Sequence, residues 1–341
     1  MNERKETDMI NEDAFDYKTA KKSFSRIGFA LLVTILAGIA LQMIFMLLPP
    51  VIWGEDNWLS ASSWGMWIMT FVPLYAIAMP LGLLTMKRLP KAEARDERLG
   101  AKTFLSYVPV CFFLMYAGSI IGNILSLSLS GGAAQNALLD YAMDTNPLKI
   151  LVIVVLAPLL EELVFRKQLI DRTRQYGEKW AVMLSGISFA LFHTNLFQFF
   201  YAFALGVLFG YIYVRTSRLR YTVLLHCIVN FLGSVVAPWI LSLLDLEALS
   251  AIDIIGSPDA AMGLIAENLS GILVYGLYIC FMMLMSVWGL VLFIMKIGKL
   301  RWEEAESELP KGHGFKTAYL NAGMILFVVF CFGATMAALF V

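Results

Sequence analysis

Glu161 and Glu162 stand side by side in an otherwise apolar run, Val152-Ile-Val-Val-Leu-Ala-Pro-Leu-Leu-Glu161-Glu162-Leu-Val-Phe-Arg166. An ionisable group inside a bilayer is costly, so acids retained there mark a site with partners. Two of the chain's three histidines lie in apolar runs of their own, Phe189-Ala-Leu-Phe-His193 and His226-Cys-Ile-Val-Asn230. Carboxylate, imidazole and carboxamide, carried on three apolar segments, are the parts of a hydrolytic site.

The spacing divides the labour. Residues four apart share a helix face, so Glu162 pairs with Arg166, Phe189 lies beside His193, and His226 lies beside Asn230. Adjacent residues differ by about 100° on a helix, so Glu161 and Glu162 do not aim at one substrate atom. Glu162 with Arg166 then reads as a structural or substrate-orienting ion pair that leaves Glu161 free to act. Poor hydration disfavours a charged carboxylate and suits it to general-base work near neutral pH. An imidazole orients the water, and an imidazole N–H with an asparagine N–H on one face can hold an oxyanion. Glu161, His193, His226 and Asn230 supply these parts. Glu161, His193 and His226 could equally hold zinc with a position left for water, although HExxH is absent. On the residues alone both readings stay open.

These segments need a membrane around them. Of the 341 residues 59% are hydrophobic and 15% charged, and the mean hydropathy is +0.73. A soluble domain carries about 25% charged residues. The expected fold is therefore an all-α, polytopic transmembrane bundle of eight to nine spans. At about 20 residues per span, helices are predicted near 27–49, 64–86, 103–129, 147–170, 179–195, 197–214, 220–243, 269–296 and 317–340.

Basic residues set the orientation. Lys87, Arg88, Lys91, Arg95, Arg98 and Lys102 follow the second span, and further basic clusters occupy 166–179, 215–220 and 296–316. All fall on the side of the N-terminal tail. The opposite connections, 50–63, 130–146 and 244–268, contain no Lys or Arg, and the last carries five acids. The positive-inside bias places the N-terminus in the cytoplasm. The predicted organisation is a cytoplasmic tail over 1–26, transmembrane helices over 27–130, a catalytic core over 145–243, an extracytoplasmic loop over 244–268 and C-terminal helices over 269–341.

Other features are quieter. Zero net charge and the lack of a long basic run argue against nucleic acid. Cys111, Cys227, Cys280 and Cys331 all sit in apolar segments without a CxxC and read as small core residues. His313, in a basic loop, has no assigned role. Gly206-Val-Leu-Phe-Gly210 matches GxxxG, read mainly as close helix packing. Trp53, Trp58 and Trp64 read as an outer aromatic belt. No internal repeat supports a transporter. A non-catalytic scaffold or immunity protein is the main alternative to an enzyme.

Depth poses one difficulty. His226 lies six residues beyond Arg220, about 9 Å into the membrane, whereas His193 lies fourteen beyond Lys179, about 21 Å deep in a straight helix. Either the fifth span tilts or turns in the plane, or the site is nearer the midplane. Thr194-Asn195 is a candidate tight re-entry. Pro158, three residues before Glu161, is expected to kink its helix and help open a wet cavity.

In their order and spacing, Glu161-Glu162-Leu-Val-Phe-Arg166, Phe189-Ala-Leu-Phe-His193 and His226-Cys-Ile-Val-Asn230 resemble the Glu-Glu-x-x-x-Arg, Phe-x-x-x-His and His-x-x-x-Asn motifs of the CAAX prenyl endopeptidase and bacteriocin-processing (CPBP, or Abi) family. Phe203, Gly206, Gly210 and Thr216-Ser217 in the linking stretch are also similar to that family. The likeness covers about 145–240. It implies an integral membrane endopeptidase, in a bacterial plasma membrane, that cuts a membrane-associated peptide or protein in a cavity open to the cytoplasm. The resemblance implies that Glu161 and His193 activate water and that His226 and Asn230 stabilise the oxyanion. Members often carry a metalloprotease label, but the glutamate-and-water chemistry requires no cofactor.

Overall fold

An apolar run as long as the bilayer is thick must satisfy its own backbone, which favours helices throughout. The computed structural model describes residues 16–250, 258–305 and 307–340, and among these every regular element is helical. Residues 1–15 of the predicted tail and 251–257 of the predicted extracytoplasmic loop lie outside the described residues.

Among the described residues six helices are long and apolar enough to cross a membrane: α1 (Tyr17–Trp53), α2 (Ser63–Met86), α3 (Ala101–Leu129), α7 (Leu196–Thr216), α8 (Leu219–Leu241) and α9 (Leu269–Ile297). Between α3 and α7 lie the short α4 (Leu138–Met143), the segmented α5 (150–173) and α6 (Glu178–Phe192), and α10 (Ala322–Ala337) follows α9. The other three of the nine expected spans thus take other forms. The run predicted over 147–170 is broken into π and α turns. The run over 179–195 is a 15-residue helix, and the run over 317–340 contains one of 16 residues. The charges of α5 (Glu161, Glu162, Arg166 and Lys167) and the shortness of α6 and α10 set these three apart.

Small residues let the core helices approach closely. Gly118 and Gly122 of α3 face the α7 backbone at Tyr201 and Phe197. Gly206 of the GxxxG pair meets Gly186 of α6, where a side chain on either would collide with the other backbone. This glycine packs within the chain, in keeping with the packing reading. Around the α6–α7 pair, α3 carries α9, while α1 holds α10 and α2.

A polar knot fixes the start of α2 against the loop before α5. The Asp144 carboxylate accepts from the Trp67 indole (2.7 Å), the Ser63 hydroxyl (3.1 Å) and the Asn146 backbone N–H (2.8 Å). Burial pushes the Asp144 carboxyl up, but these bonds outweigh it and hold the group below the usual carboxylate range. A depressed value means stability present above the unfolded pKa and lost as pH falls through the folded one. Asp144→Ala leaves the buried Trp67 N–H unpaired, at a cost of about 1–3 kcal/mol. In thermal unfolding the gap between wild type and variant should persist from pH 7 to about pH 4 and close only below the unperturbed carboxylate pKa.

Candidate functional site

Pro158 shapes the local backbone around the acids. The turns at Ile150–Leu156 bond at π spacing, with the Ala157 N–H reaching the Val152 carbonyl. In that register the next carbonyl, that of Ile153, would need the N–H of residue 158, which proline lacks. Asn230 supplies the missing donor, its side-chain N–H lying 2.8 Å from Ile153 O. One of the expected oxyanion donors thus also braces α5 against α8.

One helical turn further, the two glutamates diverge as their spacing predicts. Glu162 and Arg166 are fully buried. Arg166 grips the Glu162 carboxylate through Nε (2.9 Å) and Nη2 (3.1 Å) and donates through Nη1 to Ser185 (2.8 Å). Its guanidinium lies 4.7 Å from the Phe189 ring centre. Glu161 instead faces a cavity of about 330 Å³, which His193, His226 and Asn230 also line. All four residues named from the sequence as chemically active share this hollow, and the Glu162–Arg166 pair stands behind it.

His226 sits between the glutamates. Its Nδ1 lies 3.1 Å from Glu162 Oε1 and its Nε2 lies 3.7 Å from Glu161 Oε2. A carboxylate only accepts, so Nδ1 carries the hydrogen, and the 3.7 Å gap is too long for a direct hydrogen bond. His193 ends α6, with Nδ1 2.8 Å from the Phe189 carbonyl. That tautomer leaves its Nε2 as an acceptor. Phe189 fixes both rings, meeting His193 edge-on at 4.8 Å and His226 at 5.7 Å.

A tight turn follows His193. Thr194 adopts φ = +46°, a costly conformation for a β-branched residue. Asn195 then caps the Phe197 N–H and starts α7. The expected tight re-entry at Thr194-Asn195 is present. Asn195 also donates to Asn136 (3.1 Å), tying this turn to the segment before α4.

Tyr75 is the residue that sequence reasoning missed. Its hydroxyl donates to Glu161 Oε1 at 2.8 Å, and its ring stacks on Phe71, which stacks on Trp67. It comes from α2, 86 residues away from Glu161 in the chain. A lone tyrosine in an apolar span carries no spacing signal, and only an unexplained polar tip could have drawn attention to it. Tyr75 also separates the main cavity from a second one of about 240 Å³ that reaches Gln42 and Thr194.

Besides the four candidates the main cavity is lined by Ser119, Asn136, Leu138 and Tyr141, from the C-terminal half of α3 and the 130–146 connection. No residue of the basic loops lines it. Between Glu161 and those loops Arg166, Phe165, Leu169 and Ile170 are fully buried.

The zinc alternative finds no support in the donor set. Among the described residues no three His, Cys, Asp or Glu side chains are placed to hold a metal ion. The Nδ1 contacts of His193 and His226 leave both Nε2 atoms as acceptors, so it is the placement of the side chains relative to one another that speaks against a shared ion. As arranged, Glu161, His193 and His226 do not fit a metal.

Comparison with known proteins points the same way as the motifs. Residues 144–232 match the family described as type II CAAX prenyl endopeptidase Rce1-like. The chain is 26% identical over 187 residues, 52% of its own length and 72% of the other's, to "Putative membrane peptidase YdiL" of Bacillus subtilis (strain 168). No solved structure matches. The stretch 144–232, which holds all three motifs and the four cavity residues, is thus similar to Rce1-like membrane proteases.

Proposed function

We propose that this integral membrane protein is an endopeptidase that hydrolyses a peptide bond with water activated by Glu161. The observation that carries the reading is the convergence of Glu161, His193, His226 and Asn230 on one cavity, backed by the buried Glu162–Arg166 pair. The bacterial relative and the loop charges support a bacterial plasma membrane as its location.

In this mechanism a water bridges Glu161 and His193 Nε2. Glu161 takes its proton as the oxygen attacks the substrate carbonyl carbon. The carbonyl oxygen becomes an oxyanion held by Asn230 and by His226. Because His226 Nδ1 donates to Glu162, Nε2 donates to the oxyanion only once it too carries a proton. The intermediate collapses with cleavage of the C–N bond. Glu161 passes its proton to the leaving nitrogen, which departs as an amine, and the other product is a carboxylic acid. No cofactor is required in this scheme.

Tyr75 positions the base. Its hydroxyl fixes Glu161 Oε1 and leaves Oε2 toward His226 and the cavity. Tyr75→Phe removes one hydrogen bond to a charged group, worth about 1.5–3 kcal/mol. The expected result is a fall in kcat of about 10- to 100-fold with KM and accumulation little changed, read by peptide turnover in detergent. An unchanged kcat would remove Tyr75 from the mechanism.

The reading itself is tested by N- and C-terminal peptide mass spectrometry on cells with and without the protein. Fragments that appear only with it identify both activity and client. If its phenotype survives without any such fragment, the non-catalytic scaffold takes its place.

A further inference from the structure

A further cavity of about 310 Å³ lies apart from Glu161, between α1 and the end of α2. Its wall on α1 is Arg26, Phe29, Ala30 and Val33, which recur at i, i+3, i+4 and i+7 and so share one helix face. Thr85, Arg88 and Leu89 form the facing wall. The space opens where the two helices part. Gly82 of α2 packs on Thr34 of α1 so closely that a Cβ there would collide with the threonine hydroxyl. One turn nearer the basic residues the α1 wall offers only the methyl group of Ala30, and the gap is left unfilled.

The cavity has a cationic rim and an apolar slot. Arg26 precedes the apolar run of α1 and Arg88 follows that of α2, so both stand at one membrane–water boundary. From that rim Phe29, Ala30 and Val33 lead toward the bilayer core, and Phe29 and Val33 are 42% and 45% exposed, which leaves the slot open sideways to lipid. The two arginines are also exposed, and among the described residues neither side chain makes a hydrogen bond or an ion pair. Arg95, Arg166, Arg174, Arg215 and Arg218, by contrast, all face carboxylates. No Asp or Glu lines the cavity, while Lys22, one turn before Arg26, and Lys87, beside Arg88, add positive charge. A guanidinium presents a fork that matches phosphate oxygens, and basic pockets between membrane helices take anionic head groups.

We propose that this cavity binds an acidic phospholipid, its phosphate held between Arg26 and Arg88 and an acyl chain lying along Phe29, Ala30 and Val33. The lipid joins α1 to α2 where the helices no longer touch. The site requires neither the peptidase reading nor a particular orientation of the chain, because both arginines belong to the same boundary.

The test uses the full-length protein, delipidated in a neutral detergent and titrated with phosphatidylglycerol. Bound lipid is counted by native mass spectrometry, and thermal unfolding is followed in parallel. Retention of one phosphatidylglycerol per chain, with a raised unfolding temperature, is expected, and phosphatidylcholine should bind several-fold more weakly. Arg26→Gln combined with Arg88→Gln should weaken retention several-fold. Val33→Trp, which fills the slot and keeps both charges, should do the same. All three positions are exposed, so the lipid-free unfolding temperature should match that of the wild type; if the double variant falls short of this, the single Arg26→Gln and Arg88→Gln variants take its place. Arg98→Gln with Lys102→Gln removes the same charge from exposed positions outside the cavity and should leave binding unchanged. Equal weakening by this control pair would reduce the effect to surface charge and overturn the site, as would undiminished binding after loss of Arg26 and Arg88. Inorganic phosphate is the second probe. Its binding as tightly as the lipid, with Val33→Trp without effect on either, would assign the arginines to free phosphate and overturn the lipid.

Discussion

Glu161→Gln is expected to lower peptide turnover by about 10³-fold, within the range that a positioned general base contributes, while the protein accumulates in the membrane as before. The exchange keeps side-chain volume and the oxygen to which Tyr75 donates, so packing around α5 has little reason to change. What disappears is the capacity to take a proton from water. Substrate binding should be retained, so the loss falls on kcat and not on KM. The measurement is turnover of the identified client by purified wild type and variant, with abundance and unfolding temperature matched. Turnover at the wild-type rate would remove Glu161 as the base, and with it the proposed mechanism.

The second large effect concerns folding. Arg166→Met is expected to destabilise the protein by about 3–5 kcal/mol, the usual consequence of stripping one partner from a buried ion pair. Arg166 is fully buried, grips both Glu162 oxygens, bonds Ser185 and lies against Phe189. Its loss leaves the buried Glu162 with His226 as its remaining ionic partner. Lower accumulation and a lower unfolding temperature are the readouts. Replacing both members, as Glu162→Gln with Arg166→Met, removes the orphaned charge and should recover part of the stability. Equal stability of wild type and Arg166→Met would show that the pair is not structural, and would return it to the substrate-orienting role that the sequence left open.

The same contacts explain why the Glu162–Arg166 pair is intact in a chain that tolerates few charges in its spans. Arg166 presents a planar fork to Glu162 and a flat face to Phe189, so it joins α5 to α6 while Phe189 aligns His193 and His226. The ion pair therefore acts on chemistry through position, one layer behind the cavity.

Much of the site was legible in the sequence because helix geometry is local. The four-residue spacings of Glu162 with Arg166, Phe189 with His193 and His226 with Asn230 fix relative directions by covalent geometry alone. The offset of adjacent residues sends Glu161 to the cavity and Glu162 behind it. Hydropathy likewise identified an all-helical membrane protein. The number of full-length spans was not legible. The run of α5 carries four charges within its middle turns and the turn at Thr194 ends α6 after 15 residues, which a nine-span reading of hydropathy passed over.

What only the tertiary structure decided are the meetings between segments distant in the chain. Tyr75 reaches Glu161 from α2, Asn230 is drawn to the Ile153 carbonyl that proline leaves without a donor, and His193 is brought to the cavity by a left-handed residue after α6. Close packing of helices turns on shape complementarity summed over several segments. No periodicity within one segment encodes that sum. The sequence by itself therefore named Glu161, His193, His226 and Asn230 as candidates and a membrane as their solvent, and the packing of α2, α5, α6 and α8 decided how they face one another.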